Sequence, residues 1–61
     1  KVMYTTQETE VLDIYIYGNV IGTLPKNERV EINSSVMEWV CIYYEDTFGW
    51  LPLTSLSDTS Q

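Results

Sequence analysis

The run from Leu24 to Leu56, LPKNERVEINSSVMEWVCIYYEDTFGWLPLTSL, constrains the fold more than any other part of the chain. Apolar and polar residues alternate there with period two in short blocks, and turn-forming residues separate the blocks. That is the pattern of half-buried strands joined by tight turns. The chain carries no amphipathic helical period, no internal repeat and no low-complexity tract. The expected fold class is all-β, with three consecutive strands in this run. Trp39, Trp50 and Pro52 fall where alternation can put them on one face.

The individual strands follow from the same reading. Val2 to Thr5 is a first edge strand, and Thr5 to Glu10 is polar and reads as a loop. Val11 to Tyr17 alternates, with Leu12, Ile14 and Ile16 on one side and Asp13, Tyr15 and Tyr17 on the other. Gly18-Asn19 breaks that run, and Val20 to Leu24 returns, with Gly22 at a bulge or a close approach. Pro25 presets the second position of a turn over residues 25–28. Arg29 to Asn33 is the next strand, and Ser34 to Glu38 turns. In Trp39 to Tyr44, an inward set of Val40, Ile42 and Tyr44 leaves Trp39, Cys41 and Tyr43 outward. Glu45-Asp46-Thr47 is a hairpin turn. Phe48 to Pro52 ends at a residue without an N–H, and a single 3₁₀ turn closes on Leu56. The expected core is Leu12, Ile14, Leu24, Val30, Ile32, Val40, Ile42, Leu51 and Leu56.

A chain of 61 residues forms one small domain. At this size only about 60% of the unfolded surface is buried, so the core is thin. The domain is expected over residues 1–57, with tail composition over 58–61. The start at Lys1, without Met or a signal-like pattern, reads as a domain excised from a longer chain. No apolar run approaches the roughly 20 residues that span a bilayer, so membrane insertion is not expected. The net charge is −6, from nine acidic and three basic residues. Lys1, Lys26 and Arg29 cannot build a phosphate-binding surface, which argues against nucleic acid and anionic membranes as partners. The acidity fits a solvated surface or attraction to a cationic partner. The isolated domain is expected to be monomeric.

The residues offer little for catalysis. There is no His, the commonest general base and neutral metal ligand. Cys41 is the one cysteine, so no internal disulfide forms; its neighbours Val40 and Ile42 supply no cation to activate it, and it reads as a semi-buried filler. Ser and Thr lack a base to activate them. The carboxylates Glu8, Glu10 and Asp13, and the pair Glu45-Asp46, have no reason to be buried, and no calcium loop surrounds the first set. Neither catalytic residues, nor a metal, nor a cofactor is expected. Asn33-Ser34-Ser35 matches a glycosylation sequon in form only. The aromatic set is the informative signal: Trp39, Trp50 with Pro52, and Tyr15 with Tyr17. Trp50 also reads as a lid over a small core, and the tyrosines as a contact for a neighbouring domain.

In order and spacing these segments resemble SH3 domains. Leu24-Pro-Lys-Asn-Glu-Arg-Val-Glu-Ile32 looks like their "hydrophobic, turn, hydrophobic-x-hydrophobic" strand. Glu38-Trp39-Val-Cys-Ile-Tyr-Tyr44 looks like the Trp-led central strand. Gly49-Trp50-Leu51-Pro52 followed by Leu56 looks like the closing strand and 3₁₀ turn. Leu12-Asp13-Ile14 and Val20-Ile21-Gly22-Thr23-Leu24 look like the bacterial, SH3b, branch. The resemblance runs from about Met3 to Leu56. It departs at Tyr15-Ile16-Tyr17-Gly18, which replaces the branch's usual Arg-Ser-Gly-Pro-Ser, and at Ser55, where the eukaryotic branch has a groove tyrosine. The resemblance implies a five-stranded, partly open barrel and a binding role. In that fold Trp39, Tyr15, Tyr17, Trp50 and Pro52 converge on one groove. The expected function is therefore a non-catalytic binding module of a larger bacterial envelope or secreted protein, extracellular or in the cell envelope. It would target or anchor that protein by contact with cell-wall peptide or glycan. The alternative is a protein–protein interaction or spacer domain that packs against its own parent chain or another protein.

Overall fold

The computed structural model describes residues 1–60. The chain forms β1 (Val2–Thr5), β2 (Thr9–Leu12), β3 (Val20–Leu24), β4 (Arg29–Val36), β5 (Trp39–Tyr44) and β6 (Thr47–Pro52). A 3₁₀ turn (Leu53–Ser55) and a two-residue β7 (Leu56–Ser57) follow. The fold is all-β with one 3₁₀ turn. Its strands form one open antiparallel sheet in the order β3-β2-β6-β5-β4-β1-β7. Seven strands stand where five were expected, partly because β1 and the short β7 pair at one edge. The tail expected over residues 58–61 includes Gln61, which lies outside the described residues.

Alternation in β5 and β6 holds except at Cys41, which was expected outward and is buried. Val40 and Ile42 are buried and Tyr43 is exposed. β6 buries Leu51 and Gly49 and turns Phe48, Trp50 and Pro52 the other way. The core is Met3, Val11, Val30, Val40, Ile42 and Leu51, flanked by Leu24, Ile32, Tyr44 and Leu56. Tyr44 crosses the interior between two glycines. A Cβ at Gly22 would collide with its hydroxyl, and one at Gly49 would collide with Val11 Cγ1. The ladder of β2 and β3 shifts beside Gly22, because Val11 and Leu12 face Gly22 and Val20 and leave Ile21 as an extra residue.

Two segments differ from the sequence expectation. The strand expected over Val11 to Tyr17 starts earlier and stops at Leu12, inside the stretch read as loop. Its inward residues are Thr9 and Val11, not Leu12, Ile14 and Ile16. Ile14 and Ile16 are 47% and 51% exposed and lie outside the core. The cause is local. Asp13 Oδ1 accepts the Asn19 N–H at 2.8 Å, and the Asp13 N–H donates to the Asn19 carbonyl at 3.0 Å. This clamp folds residues 13–19 into a loop, the alternative that Asp and Asn side chains offer a backbone. Leu12 pairs with Trp50, which fixes Leu12 on the outer face. The second difference is β4, which runs to Val36 and leaves only Met37-Glu38 as the turn.

Closure of the sheet runs through a polar residue. Thr5 is fully buried at the end of β1. The turn that follows β3 wraps around it with four hydrogen bonds. Thr5 Oγ1 donates to the Pro25 carbonyl at 2.6 Å and accepts from the Glu28 N–H at 2.8 Å. The Thr5 N–H donates to the Glu28 carbonyl at 3.0 Å, and the Asn27 N–H donates to the Thr5 carbonyl at 2.8 Å. Asn27 meets this geometry at a φ of 67°, where Asn is among the more tolerant side chains. Next to it, the Thr6 N–H donates to the Ser55 carbonyl at 2.8 Å and draws in the 3₁₀ turn.

Thr5→Val keeps the shape and removes the hydroxyl. It should cost about 1–3 kcal/mol, the usual cost of stranding a buried donor and acceptor. Thr5→Ser keeps both bonds and loses one methyl, so it should cost only about 1 kcal/mol. Urea unfolding of the three proteins checks this, and a Val variant as stable as the parent would refute the role of the hydroxyl.

Candidate functional site

The candidate side chains come from the outer face of β2, β5 and β6. On β5 and β6 the register sets Trp39 opposite Pro52, Cys41 opposite Trp50, and Tyr43 opposite Phe48. On β2, Leu12 stands opposite Trp50. Period two then places Glu10 on the same side of β2 as Leu12, and Glu8 precedes the strand.

Leu12, Trp39 and Pro52 form the apolar surface of a groove of about 370 Å³. Glu8 and Glu10 supply an acidic wall, both exposed. Gln7, Thr9 and Ser55 complete it with polar groups. These are held in place: Thr9 Oγ1 donates to the Gln7 carbonyl at 2.8 Å, and Gln7 Nε2 donates to Ser55 Oγ at 3.4 Å. The Leu53 N–H donates to the Glu38 carbonyl at 2.7 Å and ties the residue after Pro52 to the residue before Trp39. The Trp39–Pro52 rung is therefore braced at its end.

The structure brings four of the five expected aromatic-site residues near one another and separates the fifth. Trp39 and Pro52 share the groove. Trp50 and Tyr15 form a second unit, with ring centroids 4.9 Å apart and a 57° interplanar angle. Tyr17 does not join them and is 93% exposed. Tyr15 and Tyr17 thus do not share the outward face that alternation suggested. Between them Ile16 has a φ of 67°, and the Tyr17 N–H donates to the Tyr15 carbonyl at 2.8 Å. That bond spans one residue, which makes it a γ-turn of the rare, strained hand. It reverses the chain between the two tyrosines.

Glu8, Glu10 and Leu12 entered the groove unannounced by the sequence reading. Their signal was their shared parity, visible once β2 is placed at residues 9–12. Cys41 lies buried opposite Trp50, with Asn33 Nδ2 donating to its Sγ at 3.8 Å. A second hollow of about 320 Å³ lies on the inner side, near Ile42 and Tyr44. Its charges, Glu28, Arg29 and Glu45, are mixed in sign.

The groove combines a flat apolar surface, two carboxylates, hydroxyls and an amide. Such a set can pack an apolar group and hold a cation or hydrogen-bond donor beside it. No protein-family model, curated protein or solved structure matches this chain.

The Tyr15–Trp50 contact joins the strained loop to the sheet, which generates a test. Trp50→Ala should destabilise the domain by about 2–4 kcal/mol through lost apolar contact. It should also raise the exchange of the amide hydrogens in residues 13–19 more than of those in β4. Equal acceleration in both segments would mean that Trp50 does not anchor the loop.

Proposed function

We propose that this domain is a non-catalytic binding module of a larger bacterial envelope or secreted protein, and that it targets or anchors that protein through contact with cell-wall peptide or glycan. The observation that carries the reading is the groove: Leu12, Trp39 and Pro52 on a rigid three-strand platform, with Glu8 and Glu10 along one wall. Sites built on strands keep their geometry without ordering cost, which favours recognition. The acidic wall matches an amine-bearing, extended peptide, in keeping with a chain of net charge −6. Cell-wall peptides carry free amines next to small apolar side chains. The SH3b resemblance points the same way, and the groove holds no imidazole or thiol for chemistry.

A second reading has its own observation. Ile14, Ile16, Tyr17 and Val20 are all exposed around the loop that follows β2. This apolar tip suits packing against another part of the parent chain or another protein, the interaction or spacer role. The two readings use different surfaces and separate experimentally.

Trp39→Ala should weaken binding to purified cell walls roughly tenfold or more, as loss of an aromatic anchor does, with a nearly unchanged melting curve. Glu8→Gln combined with Glu10→Gln should weaken it several-fold and flatten its salt dependence, because exposed charges are screened by salt. Tyr17→Ser should leave wall binding unaffected. Wall binding that survives Trp39→Ala would remove the groove from the mechanism. Absence of wall binding by the parent domain, with a partner domain captured through Tyr17, would establish the second reading instead.

A further inference from the structure

The outer face of β5 and β6 does not end at the groove. Its rungs are Trp39–Pro52, Cys41–Trp50 and Tyr43–Phe48, each set off from the next by about 6.8 Å, the rise of two antiparallel residues. The last rung is an aromatic pair at the far end. Tyr43 and Phe48 have ring centroids 5.4 Å apart at 45°. They are 54% and 48% exposed, so neither residue is buried in the sheet.

This pair is fixed rather than loose. The Tyr43 hydroxyl donates to Asn33 Oδ1 at 3.0 Å, and Asn33 Nδ2 donates to Ser34 Oγ at 3.3 Å and to the buried Cys41 Sγ at 3.8 Å. Asn33 reaches that position because the β4–β5 ladder shifts between Ile32 and Ser34 and leaves it as an extra residue. The bulge thus turns an amide toward the outer face beside a tyrosine. The outer-face positions Tyr43, Cys41, Phe48, Trp50 and Asn33 carry no charge, whereas the groove at the other end carries Glu8 and Glu10.

We infer that Tyr43, Phe48 and Asn33 form a second binding site, a platform for an uncharged glycan strand whose pyranose rings lie on the two aromatic faces. A pyranose offers a flat C–H face to an aromatic ring and hydroxyls at its rim. Here the rim hydroxyls meet two acceptors: the phenol oxygen of Tyr43, whose hydrogen is engaged by Asn33 Oδ1, and the second lone pair of Asn33 Oδ1, since both Asn33 Nδ2 hydrogens are already donated. Charge selects the occupant. An anionic ligand is repelled by the −6 chain, and the rung itself offers a phenol, a phenyl ring and an amide, with its nearest carboxylates, Glu45 and Asp46, in the exposed turn beyond it. The fixed rings lose little freedom on binding. The inference rests on the wall-binding reading and deepens it: the groove takes the peptide and this rung takes the glycan.

The test is an amide-resolved NMR titration of the intact domain with two probes used separately. One is chitotetraose, the soluble tetramer of N-acetylglucosamine. The other is a lysine-containing tetrapeptide. Chitotetraose should shift the amides of Asn33, Tyr43 and Phe48 and saturate in the millimolar range, as expected of one short weak site. Phe48→Ala should weaken it roughly tenfold. Tyr43→Phe keeps the ring and the fold and removes the hydroxyl, and should weaken it roughly threefold to tenfold. The tetrapeptide should shift Thr9, Glu10 and Trp39 and be indifferent to both variants. Chitotetraose that shifts none of the three amides up to its solubility limit overturns the inference and leaves this rung to a protein partner. Shifts that persist unchanged in Tyr43→Phe and Phe48→Ala overturn it too. A tetrapeptide that fails while chitotetraose binds as described removes the groove reading and leaves the platform standing.

Discussion

The hydroxyl of Thr5 is the interaction on which the closed shape depends. A sheet in the order β3-β2-β6-β5-β4-β1-β7 has its two edges in β3 and β7, and strand pairing brings them together only through the β1–β4 ladder and the short turn between Leu24 and Arg29. Thr5 fastens that arrangement from the end of β1, where it pairs with Leu56 of β7 and holds the turn that leaves β3. With that turn in place, Leu24 packs against the buried core cluster and covers it from the β3 side. A buried hydroxyl without partners would be destabilising. With a donor and an acceptor satisfied in one turn, it becomes a directional fastener, which an apolar residue of equal volume cannot be.

That fastener explains where the sequence could be read and where it could not. Val40, Ile42 and Leu51 were legible because both neighbouring strands alternate, Cys41 apart, and end at clear turns. The outward parity of Trp39, Trp50 and Pro52 was legible for the same reason. Thr5 and Thr9 were not, since hydropathy counts a hydroxyl as polar and cannot show that its partners wait inside. The loop expected over residues 5–10 holds at residues 6–8, but reading Thr9 and Glu10 into it followed from that, and it hid Glu8 and Glu10 from the site. The run Leu12, Ile14, Ile16 carries a true strand period. It lost to the Asp13–Asn19 clamp, a contact between residues six apart that no periodicity reports.

β5 and β6 divide their labour by face. Their inner side chains, Val40, Ile42 and Leu51, make the core. Their outer ones, Trp39, Pro52, Trp50, Tyr43 and Phe48, form rungs that leave aromatic surface in contact with water. A thin core has little stability to spare at this chain length. Placing the exposed aromatic residues on the opposite face of the same strands lets them change without opening a cavity inside. Cys41 is the exception. It sits on the outer parity yet is buried, because Trp50 stands opposite and Asn33 reaches over to its sulfur. It seals the middle rung between the two ends.

The middle rung also carries the loop, and this couples the parts. A β-branched residue held at positive φ costs about 1–3 kcal/mol, and Ile16 has that geometry with its side chain in water. Two contacts offset it: the Asp13–Asn19 clamp at the neck of the loop and the Tyr15 ring on Trp50. The clamp fixes the neck, the Tyr17 N–H bond to the Tyr15 carbonyl and the close approach of Gly18 to the Ile14 backbone hold the tip, and Tyr15 on Trp50 ties the tip to the sheet. A ligand that displaces Tyr15 from the face of Trp50 would therefore remove the side-chain tie between the tip and the sheet. One that packs on Trp50 beside Tyr15 would hold the tip in place. Occupation of the outer face and presentation of the apolar tip are thus linked through a single ring pair, although the two surfaces share no residue that must contact both.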